Sequence, residues 1–173
     1  MTSLFEPIET AWDCPPLTDE MIVEAQRRLE VVLPASYIEV LRLRNGGLLR
    51  RCELPIYLDI MKANIRVSML YGIGVDDGIE STDGTHYFLS KYLAHQWDLP
   101  VGSVMFSKFG HVGLSFAYHQ AVDKSDPPVV FHYAERYPDV ITVPVASSFR
   151  ELISALTIPS WREEEAPKVS DSA

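Results

Sequence analysis

Residues able to do chemistry are scattered along this chain rather than gathered. Gly113-Leu114-Ser115-Phe116-Ala117 differs only at its last position from the G-x-S-x-G pattern that exposes a nucleophilic serine on a strand-to-helix elbow, and His132 and several aspartates follow it. Ser115, however, sits inside a run with Val112, Leu114, Phe116 and Tyr118 on one face and Gly113, Ser115 and Ala117 on the other. That is the period of a strand, so an ordinary strand serine is expected. The histidines His86, His95, His111, His119 and His132 show no H-x-H, H-E-x-x-H or Cys/His spacing. A small enzyme would need His111, His119 or His132 to meet an aspartate from a distance. Gly72, Gly74 and Gly78 miss the dinucleotide-binding spacing by one residue, and no phosphate-loop motif is present. No catalytic residue, cofactor or metal is expected.

Asp76, Asp77, Glu80 and Asp83 crowd a loop running from Gly72 to Gly84. Their register does not fit an EF-hand loop, which wants oxygens at alternate positions and a closing bidentate Glu. A solvated loop, a protein-docking patch and a cation site stay open as readings, and these four are the candidate partner-binding residues. Arg27, Arg28, Arg42, Arg44, Arg50 and Arg51 cluster upstream. Helix-dipole complementation and outer helix faces account for them; with the acidic loop they imply a bipolar surface. Trp12, Trp97 and Trp161 are the tryptophans that could anchor an interface, with Trp97 expected in the core.

The elements that must position these residues belong to a chain of one-domain size, 173 residues. At 47% hydrophobic it can build its own core without a metal or disulfide staple. The net charge of −9 argues against nucleic acid or an anionic membrane, whose recognition draws on clustered Lys and Arg, and suits a basic protein partner. No basic residue precedes Arg27 and no long apolar run occurs, so neither a secretory signal nor a membrane span is expected. Cys14 and Cys52 are far apart and read as reduced thiols, which places the chain in the cytoplasm. Residues 1–16 read as an N-terminal extension, 17–158 as the domain and 159–173 as a flexible acidic tail.

Thr18 is a helix cap with Asp19 and Glu20 in the first turn, and Ile22, Ala25, Leu29 and Val32 recur as one buried stripe. Leu33-Pro34 ends that helix and opens a second, whose inward face is Tyr37, Val40 and Leu41 and whose stop is Asn45-Gly46-Gly47. Strands are expected over Leu48–Leu58 and Ile65–Tyr71, a helix over Tyr87–Trp97, and a hairpin of Ser103–Ser107 with His111–Tyr118 turning at Lys108-Phe109-Gly110. Further strands follow at Val129–Tyr133 and Val140–Pro144. Ser148 and Glu151 then stand at capping-box spacing before Phe149, Leu152, Ile153 and Leu156. Without regular βαβ alternation, this order favours a mostly antiparallel α+β domain with helices on one side of its sheet.

Leu33-Pro34-x-x-Tyr37-x-x-Val40-Leu41-x-x-x-Asn45-Gly46-Gly47 resembles the opening signature of the SUKH superfamily, which includes fungal cell-wall assembly regulators and bacterial immunity proteins. Leu70-Tyr71-Gly72, then Trp97-x-Leu99-Pro100-x-Gly102-x-Val104-x-Phe106 with Gly110 and Gly113, then Ser148-Phe149-x-x-x-Ile153-x-x-Leu156, match in order. The likeness covers roughly residues 18–157. The 72–84 loop and both extensions lie outside it and inherit no role. The resemblance implies a single α+β domain, a twisted mixed sheet flanked by helices, with no cofactor and no catalytic residue. It further implies an immunity protein that occludes a toxin, or else a housekeeping interaction module; the toxin type is not inherited, and the acidic charge is what suits a basic nuclease.

Overall fold

The computed structural model describes residues 3–7, 15–74, 94–135 and 139–160. Helix α1 (Asp19–Leu29) starts where the Thr18 hydroxyl accepts from the Met21 N–H at 3.3 Å. The Met21 sulfur accepts from the Thr18 N–H at 3.4 Å, filling the place a Glu or Gln takes in a capping box. Ile22, Ala25 and Leu29 are buried as their spacing predicts. Val32 is not part of that stripe: Glu30 turns left-handed at φ 60°, ends the helix, and leaves Val32 59% exposed. Pro34, at φ −57°, precedes α2 (Ala35–Leu43), which buries Tyr37 and Leu41 and half-buries Val40.

The strand expected over Leu48–Leu58 is broken in two. Strand β1 (Gly47–Leu48) pairs with β4 (Met69–Leu70), and β2 (Glu53–Leu58) with β3 (Ala63–Arg66). The Leu49 N–H donates to the Ser68 carbonyl and the Val67 N–H to the Cys52 carbonyl, so the two ladders continue across a bend. That bend explains the imperfect alternation, because each half turns a different face to the core. The opening segment is also less loose than expected. Phe5 bridges Leu49 and is buried, while the Glu6 N–H donates to the Leu48 carbonyl at 3.0 Å.

Strands β5 (Ser103–Phe109), β6 (Val112–Ala117), β7 (Val129–Tyr133) and β8 (Ile141–Ala146) form a sheet in sequence order. Lys108 and Phe109 still pair, with Gly113 and Val112, so the β5–β6 turn is Gly110-His111 and not the three residues expected. Gly110 takes φ +59°, which that two-residue turn requires. Every strand pairing among the described residues is antiparallel, in place of the mixed sheet the resemblance implied. Of the helix expected over Tyr87–Trp97, residues 94–97 lie among those described; 94–96 are helical and Trp97 already belongs to the turn that follows.

Helix α3 (Phe149–Ala155) is capped by Ser148, which accepts from the Glu151 N–H. The Glu151 carboxylate accepts from the Ser147 N–H at 2.7 Å, one residue before the position a capping box uses.

Helices α2 and α3 cover the large-residue face of the four-stranded sheet through an aromatic cluster. Tyr37 meets Phe116 and Phe149 edge-on at 5.4 and 5.1 Å between centroids, and Phe106 and Phe116 lie 4.4 Å apart. Such pairs each add about 1 kcal/mol beyond their buried area. The small-residue face is not open either. Trp97 packs there with Met105 and Ala134, beside Gly113. The small side chains of β6 make room for that second layer, so the sheet is not covered on one side alone.

Candidate functional site

Ser115 meets a histidine after all, but deep in the sheet. Strand β6 places Gly113 opposite His132 and Ser115 opposite Val130, so Ser115 and His132 lie diagonally on the small-residue face. Ser115 Oγ stands 2.7 Å from His132 Nε2, and His132 Nδ1 stands 2.9 Å from the Oγ1 of Thr142, its direct partner on β8. Ser115 and His132 are fully buried. Burial, with a smaller push from the charge of His119, drives the His132 pKa down to about 4.

The imidazole is therefore neutral at neutral pH, one ring nitrogen donating and the other accepting, and either hydroxyl can rotate to suit. A serine nucleophile needs a base poised near the working pH, an orienting group that steadies the imidazolium, and access for substrate. Here the base is weak, the third member is a hydroxyl, and Ser115 has no surface. The constellation is a polar ladder that satisfies itself across β6, β7 and β8. It includes no aspartate, contrary to the one converging arrangement the histidines suggested. His111 and His119 are exposed, and His119 pairs with Gln120 at 3.0 Å.

The candidate partner-binding residues Asp76, Asp77, Glu80 and Asp83 lie outside the described residues, as do Trp12, Trp161, Cys14 and His86. Trp97 is buried. No group of three or more His, Cys, Asp or Glu side chains suited to a metal is found among the described residues. No described helix is long and apolar enough to cross a membrane. Half of the arginine cluster is ion-paired in place: Arg27 and Arg28 share Glu24, and Arg42 pairs with Asp19. Arg51 donates to the Leu156 carbonyl and Arg44 to that of Glu6. The positive half of the expected bipolar surface is thus offset by two carboxylates, while the carbonyl partners of Arg44 and Arg51 hold those guanidinium groups in place without cancelling their charge.

Sequence reasoning took Asn45 for a helix stop, whereas the structure makes it a buried latch. Its amide donates to the carbonyls of Pro15 and Ile73, and its Oδ1 accepts from the Ile73 N–H at 2.8 Å. The next residue, Gly46, sits at φ +89°, and a Cβ there would stand 2.6 Å from the Gly72 nitrogen. Asn45-Gly46-Gly47 and Leu70-Tyr71-Gly72 are consequently two halves of one contact, held by the pairing of Gly47 with Leu70. The Tyr37 hydroxyl seals it from α2 by donating to the Tyr71 carbonyl at 2.6 Å. A buried Asn before a Gly pair was the available signal. Motifs that sequence shows only as an ordered series here form one packed unit.

A comparison with curated proteins finds no match. The model of the SMI1 / KNR4 family (SUKH-1) matches residues 16–155, which takes in Asn45, all the named strands and the whole of α3. The chain belongs to that family, within the SUKH superfamily.

Proposed function

We propose that this chain is a non-catalytic protein-binding module, an immunity protein that binds a cognate toxin domain and occludes its active site in the cytoplasm. The family match over residues 16–155 carries the reading. Two observations support it. The Ser115–His132 pair of the converged ladder is buried, which leaves the outer surface for function. The net charge of −9 suits a basic toxin such as a nuclease and would raise its association rate. Asp76, Asp77, Glu80 and Asp83 are the residues assigned to that steering.

The test is survival. The C-terminal domain of the upstream gene product is expressed in a sensitive host, with this chain or with an unrelated acidic domain. Rescue by this chain alone supports immunity. Persistent killing, or a neighbouring product without toxicity, overturns immunity in favour of a housekeeping module of the cell-wall regulator kind.

A further inference from the structure

The α1–α2 connection and the segment entering β5 face one another across a cleft of about 530 Å3. Leu29 and Val31 form one wall, Leu99 and Val101 the other. A second hollow shares Glu30, Val31, Val101 and Gly102 with it and runs on to Val32, Tyr118 and Lys124. Together they make an elongated groove, a shape suited to an extended chain more than to a compact ligand.

Its apolar surface is left uncovered, with Val101 95% and Val32 59% exposed. The Tyr118 hydroxyl, donating to the Val32 carbonyl at 2.6 Å, holds the turn that presents Val31 and Val32. Glu30 and Asp98, both left-handed at φ 60° and 50°, set carboxylates on the two sides. Inside the cleft stands Ser103, 7% exposed, whose hydroxyl is buried without a hydrogen-bond partner. Native interiors rarely leave such a group unmet.

We infer that this cleft is the docking site for an extended segment of the protein partner that carries an aliphatic side chain next to a lysine or arginine. The inference rests on the protein-binding reading above and names the surface and chemistry that reading lacks. The aliphatic group lies between Val31 and Val101, the cation meets Asp98 and Glu30, and Ser103 is left to bond a peptide group. Lys124, at the far end of the groove, turns a basic residue toward Asp98.

The test uses the full chain, 15N-labelled and titrated with acetyl-Gly-Val-Lys-Ile-Arg-Gly-amide. A counterpart with Glu in both basic positions serves as control. The basic peptide is expected to shift the amides of Glu30–Val32, Asp98, Val101–Ser103 and Tyr118 saturably, and the acidic one to bind at least fivefold more weakly. Val101→Glu, at a fully solvated position, abolishes the response. Asp98→Asn, which tolerates the left-handed backbone, weakens it threefold or more. Ser103→Ala weakens binding while raising the Tm of the free chain, a pairing that a merely structural serine does not give.

No shifts at millimolar peptide, shifts elsewhere, equal response to both peptides, or indifference to Val101→Glu would each overturn the proposal. The survival assay separates it from its parent. Equal protection by wild type and Val101→Glu removes the cleft and leaves immunity standing. Failure of the wild type to protect, with peptide binding as expected, removes immunity and leaves the cleft.

Discussion

His132 is held neutral between two hydroxyls, so its protonation is coupled to folding. The unfolded imidazole titrates near its ordinary value of 6.5 and the folded one at about 4, so between those values the unfolded state binds more protons. Stability from this group is whole above pH 6.5 and drains away as pH falls toward 4. The loss is on the order of 3 kcal/mol. Urea denaturation from pH 7 to 4 should show that slope in the wild type and lack most of it in His132→Gln; parallel slopes would mean the ring is not so protected. Asn45 is the other residue whose buried bonds have no substitute. Asn45→Ala leaves the Ile73 N–H and two carbonyls unmet and should cost about 3 kcal/mol in the same measurement.

Elements here are bounded by short-range devices whose strengths differ. The Ser148 cap satisfies one helix donor, and Ser148→Ala should cost about 1 kcal/mol. Gly46 is different in kind, because both its φ of +89° and the nearness of Gly72 forbid a Cβ. Gly46→Ala must pull β1 away from β4 and should cost more than about 3 kcal/mol, or prevent folding. If thermal melts rank the two variants the other way, the latch does not organise the hairpin. The bent ladder β1–β4 and β2–β3 depends on that latch at one end and on the bridge from Glu53 to Thr157 at the other.

For the molecule as a whole, the proposed binding divides into an encounter that charge would govern and a retention that the cleft would govern. Reversing Asp76, Asp77, Glu80 and Asp83 to Lys adds two charges at each of four positions and moves the net charge from −9 to −1. With a basic toxin domain, the on-rate at low salt should fall roughly tenfold or more, and the two curves should converge as salt screens them. An on-rate that ignores the four reversals would remove this loop from the mechanism. Val101→Glu should instead leave the on-rate nearly intact and raise the off-rate, since it removes a short-range contact.

Signals that act within a few residues were legible in the sequence. Thr18 and Ser148 as caps, Pro34 as a helix opener, the large–small alternation of β6 and the net charge all depend on neighbours along the chain, and the ordered motifs pointed to the family. What tertiary structure alone decided is everything set by register and bend. Ser115, His132 and Thr142 meet because three strands align as they do, and no spacing along the chain encodes that alignment. The break of Leu48–Leu58 into two strands and the role of Asn45 follow from contacts with residues up to tens of positions away. The cleft likewise exists only where residues 29–32 and 98–104 approach. A local pattern sets which conformation a segment prefers, whereas a site between segments depends on how their faces are brought together in packing.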